Sequence, residues 1–370
     1  MAALFHRHVP ALLMSATLCS GSAAESPSAL YIEHDRQRSY ISELADHARA
    51  TRAALIGETH DRLDHHDNQL EILRALDARG VKLAVGLEAF EQPAQESLDA
   101  FIAGRLDTRE LLRRTRWYQR WKYDFRLYEP VLNFARDRSI PLVALNVPIE
   151  VVRKVGAGQA DQLSAAERAF VPADMDRAVP GYRERLKPVF EEHRKDGNFE
   201  HFLDAQLLWD EGMAESAARY LRVHPDRTMV IIAGNGHVEY GQGIAARLAR
   251  RLQAPVLTVV QSDAPGDPHL ADFILRSPAV QLPDPARLGV IIEPESTPAK
   301  ISGFSPDSPA ERAGLRTGDT ILSIEDIKVK DYTDLRAALH GRPAGAAVNV
   351  GVGRQASGAG LTENVAVTLY

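Results

Sequence analysis

Cysteine is almost absent: the 370-residue chain has one, Cys19. That excludes a disulfide scaffold, a thiolate-held zinc and a Cys-x-x-Cys-His haem attachment, so any metal or cofactor must be held by His, Tyr or carboxylates. Long apolar runs are missing too. The most apolar N-terminal stretch, Val9 to Leu18, falls well short of the roughly 20 residues that cross a bilayer. No Gly-x-Ser-x-Gly occurs, and neither His-Glu-x-x-His nor its inverse, which excludes the nucleophile elbow and the standard zinc-protease helix. Nor is there an excess of positive charge. A net charge of −6 argues against nucleic acid as the main partner.

What is present begins with a leader. His6, Arg7 and His8 precede the apolar run, and Ser22 and Ala24 sit three and one places before Glu25. This is the pattern of a signal peptide, residues 1–24, cleaved after Ala24, with a periplasmic or cell-envelope destination. In the alternative, a lipoprotein anchored at Cys19, bulky Leu18 stands where a small residue is expected.

From Ala53 to about Gln261, β-rich runs alternate with longer helical patterns. Ala53 to Ile56, Lys82 to Gly86, Pro141 to Leu145, Met229 to Ala233 and Pro255 to Val260 read as buried strands. Between them Arg62 to Ala78, Pro93 to Ile102, Tyr128 to Asp137, Glu200 to Leu221 and Gly243 to Leu252 read as helices. Such alternation predicts an α/β domain, a mostly parallel sheet flanked by helices. A helical insertion is expected between Gly156 and Asp196, where Pro172, Pro180 and Pro188 interrupt the pattern. The expected organisation is thus an α/β domain at 25–265, a Pro-, Asp- and Ser-rich linker at 266–287 and a small β-rich α+β unit at 288–370.

In that last unit, Ser308-Pro309-Ala310-Glu311-Arg312-Ala313-Gly314-Leu315 followed by Gly318-Asp319-Thr320-Ile321-Leu322-Ser323-Ile324 resembles bacterial PDZ domains. The resemblance puts Leu288, Gly289 and Val290 in the carboxylate-binding loop and implies a peptide or protein C-terminus as partner. A unit that only packs on its own first domain or mediates dimers is the alternative.

Two strand ends carry Gly-x-x-His: Gly57-Glu58-Thr59-His60 and Gly234-Asn235-Gly236-His237. In a parallel sheet both fall at the carboxyl edge, where open α/β folds bind ligands. Glu88 and Asn146 are expected at the same edge, with His65, His66 and Gln69 on the helix after His60. Arg113, Arg114, Arg116, Trp117, Tyr118, Arg120, Trp121 and Lys122 interleave cations with aromatics. They read either as a solvated helix face with its rings in the core or as a rim for an anionic ligand, since Arg gives bidentate bonds to carboxylates. Gln206, Asp210 and Met213 lie at i, i+4 and i+7 of a long helix; Met213 reads as core and Asp210 as a group that orients a histidine.

Gly57-Glu58-Thr59-His60-Asp61, His65-His66-x-x-Gln69, Gly86-Leu87-Glu88, Tyr128-x-Pro130, Gln206-x-x-Trp209-Asp210 and Gly236-His237-Val238-x-Tyr240-Gly241 together resemble the ChaN family of haem-binding uptake proteins, relatives of the Tiki-type proteins, over about residues 50 to 262. The chain departs at Ile244-Ala245-Ala246-Arg247, where that family tends to have a Pro. The resemblance implies haem with Tyr and His as axial ligands and a homodimer enclosing paired haems. Tyr128 is then the tyrosine candidate, and His60, His65, His66 and His237 are the histidine candidates. Trp117, Trp121 and Tyr123 would supply the aromatic wall, Arg116 the propionate contact. The alternative is a metal-dependent hydrolase in which His60, His237, Glu58 and Glu88 hold a divalent ion such as zinc or manganese and leave one position for an activated water.

Overall fold

The computed structural model describes residues 40–193, 197–263, 267–293, 296–356 and 359–370. The expected signal peptide, with Cys19, lies outside the described residues, as does part of the expected linker.

Six parallel strands form the main sheet: β1 (Ala53–Glu58), β2 (Leu83–Glu91), β3 (Leu142–Asn146), β4 (Thr228–Gly234), β5 (Val256–Gln261) and β6 (Phe273–Leu275), in the order β3-β2-β4-β1-β5-β6. Every residue of β1, β3 and β4 is buried. That is why these runs are continuously apolar rather than alternating, as a parallel sheet covered on both faces requires. Alternate residues go to opposite layers. Ala54 and Ile56 pack with Leu73, Val85 and Val230 on one face, Ala53 and Leu55 with Met213, Met229 and Leu248 on the other.

The helices that cover the sheet and bear on the site are α1 (Leu63–Asp77), α2 (Gln95–Ile102), α3 (Thr108–Arg114), α4 (Trp117–Arg120), α5 (Phe125–Asp137), α6 (Ile149–Gly156), α7 (Tyr182–His193), α8 (Phe199–Val223) and α9 (Ile244–Leu252). Helix α5 begins at Phe125, three residues before the expected Tyr128, because Asp124 caps it by accepting the Arg126 N–H at 3.0 Å. Pro130 therefore falls inside the helix, in its second turn, where it leaves the Arg126 carbonyl without its i+4 N–H. The expected insertion consists chiefly of α7 and the single turn Ala165–Arg168. No helix among the described residues is long and apolar enough to cross a membrane.

The C-terminal unit has its own core of Leu288, Ile301, Leu315, Ile321, Ile324, Leu335, Val350 and Val367. Strands β7 (Val290–Ile291) and β8 (Gly303–Phe304) pair with each other. Strands β9 (Thr320–Ile324), β10 (Ile327–Lys328), β11 (Ala347–Ala356) and β12 (Ala359–Thr368) form an antiparallel sheet in the order β10-β9-β11-β12. Helices α10 (Pro309–Arg312) and α11 (Tyr332–Leu339) complete it.

Candidate functional site

Strands β1 and β4 run side by side with Glu58 opposite Gly234, so their two Gly-x-x-His corners leave the sheet together. A Cβ on Gly234 would stand 3.0 Å from Cε1 of His60; the bare backbone there gives the imidazole its room. Glu88 on β2 reaches the same place, accepting the Gly234 N–H at 2.7 Å.

Each histidine is held through Nδ1 by a buried carboxylate. His60 Nδ1 lies 2.8 Å from Glu58 Oε1, and His237 Nδ1 lies 2.7 Å from Asp210 Oδ1. Around Glu58 the bonding is dense. Tyr128 donates its hydroxyl to Oε1 at 2.5 Å, and Gln69 Nε2 donates to Oε2 at 2.8 Å. Burial alone would raise the Glu58 carboxyl, but the His66 charge and the bonds from His60 and Tyr128 prevail and hold it down to about 2. Asp210 is shared with Tyr182, whose hydroxyl donates to Oδ2 at 2.6 Å. Nε2 of His237 is 3.4 Å from Glu88 Oε1. Burial pushes His237 down, yet Glu88 and Asp210 on either side lift it to about 10. His60 is likewise raised, against burial, by Glu58 and Glu88.

In front of these groups lies a cavity of about 540 Å3. His60, Glu88 and His237 form its floor, and Trp121, Tyr123, Phe202 and Trp209 give it aromatic walls. Arg116, Arg120, Lys122 and Arg153 stand around it. Trp121 meets the His60 ring edge-on at 4.8 Å, and the Tyr123 ring is 5.0 Å from it. Asn146 also lines the cavity. Its Nδ2 donates to the Glu88 carbonyl at 2.9 Å, while its buried Oδ1 has no partner among the described residues.

The other expected residues are placed differently. Tyr128 is 1% exposed and does not line the cavity. Its hydroxyl is committed to Glu58, and burial next to that carboxylate pushes the phenol well above its ordinary value, which keeps it protonated. The tyrosine that faces the cavity is Tyr123. His65 and His66 are both buried beneath His60. His65 Nδ1 accepts the Thr59 N–H at 2.9 Å, and burial lowers its imidazole to about 4, leaving it neutral. His66 sits between Gln69 Oε1, at 3.1 Å, and the His60 carbonyl, at 3.2 Å. Trp117 is a core residue whose Nε1 donates to the Tyr123 carbonyl at 2.8 Å; it shapes the wall from behind. Met213 is fully buried in the helix–sheet layer.

The divalent-metal set of His60, His237, Glu58 and Glu88 is not brought together as a preformed site. Among the described residues no group of three or more His, Cys, Asp or Glu is arranged to hold a metal ion. The physical reason is that both Glu58 oxygens already accept bonds, and Glu88 is bound to the Gly234 N–H and faces His237. Sequence motifs do not reach Tyr182 or Arg153, since neither stands in one and both arrive through tertiary packing.

In the C-terminal unit, Leu288, Gly289 and Val290 line a groove of about 510 Å3 beside α11. Gly289 has φ of 76°, a left-handed turn that suits glycine. The N–H groups of Leu288 and Gly289 have no partner among the described residues.

Comparison with known proteins places these features. A curated relative, "Protein RETICULATA-RELATED 5, chloroplastic" of Arabidopsis thaliana, is 28% identical over 237 residues, covering 57% of this chain and 32% of its own. This chain thus spans about a third of that relative's length. The structure described as cofacial heme binding to ChaN of Campylobacter jejuni is similar at 16% identity and a TM-score of 0.48, over 63% of this chain and 89% of its own. An erythromycin esterase mutant in its open conformation is similar at 13% identity and a TM-score of 0.37, over 65% of this chain and 78% of its own. Neither of these structural likenesses carries weight alone. A PDZ family model matches residues 300–354. The model of the haem-binding uptake family, Tiki superfamily, ChaN, matches residues 44–248, more than half of the chain. The chain therefore belongs to the ChaN-like haem-binding uptake family of the Tiki superfamily, with a PDZ domain at its C-terminal end.

Proposed function

We propose that the protein is an exported haem-binding protein of the cell envelope that takes haem in the cavity at the carboxyl edge of its sheet and a polypeptide C-terminus in its PDZ groove. The observation that carries the haem reading is the make-up of the cavity. Its volume of about 540 Å3 lies within the roughly 300–1,000 Å3 of small-molecule sites. Four aromatic side chains, Trp121, Tyr123, Phe202 and Trp209, present flat apolar surface, and cations stand around them. Lys122 and Arg153 form no contact ion pair among the described residues, although Arg153 lies within the field of Glu91 and Glu150; both can turn to carboxylates such as propionates.

His60 and Tyr123 are the residues that would hold the iron. When bound, haem iron supplies a coordination position that accepts imidazole nitrogen or a phenol oxygen. Glu58 fixes the His60 ring through Nδ1, leaving Nε2 as the nitrogen for a ligand. Tyr128 and Gln69 orient Glu58 in turn. The test is a haemin titration of the purified protein followed by visible absorption. The expected result is a saturable Soret shift that is lost or displaced in His60→Ala and Tyr123→Phe and kept in Tyr128→Phe. A protein that gives no saturable shift overturns the reading.

A second reading, hydrolysis, is favoured by the Glu88 carboxylate standing against one of two carboxylate-held imidazoles on a single sheet edge. That layout suits activation of water by general acid and base. Ester or peptide hydrolysis by haem-free protein, lost in Glu88→Gln and His237→Ala, would favour it. Metal analysis of the same preparation tells whether a divalent ion takes part.

A further inference from the structure

The groove beside α11 is not confined to the PDZ unit. Tyr118, Asp124 and Arg126 of the α/β domain form part of its lining. Tyr118 belongs to α4, and Arg116, Gln119, Arg120 and Trp121 on either side of it line the other cavity. One four-residue helix thus stands between the two hollows. Both of its ends hold non-glycine residues in left-handed backbone, Arg116 with φ of 51° and Lys122 with φ of 75°. Such residues are costly and persist only where their surroundings over-determine them.

Those surroundings come from both domains. Arg336 of α11 lies over the Tyr118 ring, 4.2 Å from its centroid, and donates to the Tyr332 hydroxyl at 2.8 Å. Arg113 of α3 donates to Asp334 of α11 at 2.6 Å. His340 is 3.1 Å from Glu129 of α5. The α3–α4–α5 face of the α/β domain is therefore seated against the helix that a PDZ groove uses as its wall.

We propose that a polypeptide C-terminus seated in this groove is read by both domains and, through α4, sets the wall of the cavity at the sheet edge. This rests on the peptide and cavity readings above. The occupant is the free C-terminus of another polypeptide with an acidic side chain upstream. Its carboxylate meets the unpartnered N–H groups of Leu288 and Gly289. Its acidic side chain meets Arg336, a guanidinium held on the Tyr118 ring that feels the Asp124 carboxylate but forms no contact ion pair among the described residues. The lining as a whole favours such a ligand, with Arg126, Arg287, Arg336 and Arg342 against Asp124 and Asp284. A shared wall makes the coupling reciprocal, since whatever one ligand does to α4 the other must work with or against.

The test uses the full chain and a fluorescein-labelled decapeptide with aspartates upstream of a terminal valine, once as the free acid and once as the amide. Hydrogen exchange is then recorded with and without the acid form. We expect the amide to bind at least about tenfold more weakly. The acid should slow exchange over 287–292, over 332–339 and also over 116–122. Tyr118→Phe, which keeps the ring, should keep the protection of 116–122, and Tyr118→Leu should lose it while 287–292 stays protected. If Tyr118→Leu does not fold, Arg336→Gln breaks the same contact from the PDZ side, and because it also removes the proposed acidic-side-chain contact it is read at a peptide concentration that still protects 287–292. The proposal is overturned by an acid form that does not bind at about 1 mM, by protection that stops at the PDZ unit, or by the same protection of 116–122 in Tyr118→Leu and Arg336→Gln. No haem is present in this experiment, so a failed haemin titration and a failed exchange result are separate outcomes.

Discussion

The two Gly-x-x-His corners carry the same pattern and are held in different ways. At the β1 corner the carboxylate is the residue two before the histidine: Glu58 and His60 are on one tetrapeptide and bond directly. The helix that follows supplies Gln69 and His66, so most of the hydrogen bonding at this corner comes from residues 58 to 69, and Tyr128 joins it from far away. At the β4 corner the second position is Asn235, which cannot take the same part. Its side chain turns to β5, where Nδ2 donates to the Gln261 carbonyl at 2.7 Å. The carboxylates that hold His237 come instead from α8 and β2, as Asp210 and Glu88. The lesson is that one motif can present two similar imidazoles while seating one against a carboxylate of its own tetrapeptide and the other against carboxylates brought by the fold. His237, between two carboxylates, is raised to about 10, and it depends on three elements staying docked.

The contrast can be broken at its centre first. Glu58→Ala removes the acceptor for His60, Tyr128 and Gln69 in one step, and we expect it to lower unfolding stability by about 3–5 kcal/mol, measured by denaturant unfolding. Glu58→Gln, which keeps the shape, should cost less. Asp210→Asn is the matching change at the other corner. Glu88 remains opposite His237, so the expected loss is smaller, about 1–3 kcal/mol. Its sharper readout is the His237 titration by NMR, which should fall from about 10 towards the ordinary histidine value. A His237 titration that does not move in Asp210→Asn would break the comparison.

The pH dependence of stability separates the corners next. His237 has its pKa raised on folding, so its contribution is fully present below the unfolded value of 6.5 and is lost as pH rises towards about 10. His65, beneath the β1 corner, is lowered to about 4. The unfolded chain therefore takes up a proton that the folded one refuses, and stability falls as pH drops from 6.5 to about 4. Glu58 adds to this acid loss below its unfolded value of 4.5, down to about 2. Thermal unfolding across pH should thus decline at both ends. His237→Gln should flatten the alkaline limb and His65→Gln the upper acid limb. The smallest effect serves as the control. Arg74→Ala breaks an exposed pair with Glu71 and should change stability by less than about 0.5 kcal/mol.

Much of this was legible in the amino-acid sequence. Continuous apolar runs give the central strands, because a parallel sheet buried on both faces has no polar side to alternate with. Strand ends at residues 58, 91, 146 and 234, with Glu88 near the end of the second, bring the polar residues to one edge for the same topological reason. Tyr128 shows where that reasoning stops. Its motif marks it as important, and the role implied was iron ligation. A helix residue's direction depends on which face packs inward, and here the Asp124 cap sets the helix so that Tyr128 points at Glu58. Tyr123, two residues outside the helix, takes the cavity instead.

By itself, the sequence determined the α/β class, the resemblance to the PDZ domain and to the family, and the edge of the sheet where the two Gly-x-x-His corners meet. These follow from periodicity and short motifs, which act over a few residues. Only the tertiary structure decided which groups face the cavity, that both Glu58 oxygens are already engaged, that Asp210 and Glu88 charge His237, and that α4 stands between two hollows. The reason is distance along the chain: Asp210 meets His237 from 27 residues away and Arg113 meets Asp334 from 221. Contacts of that kind are fixed by how the elements dock, and no local pattern encodes them.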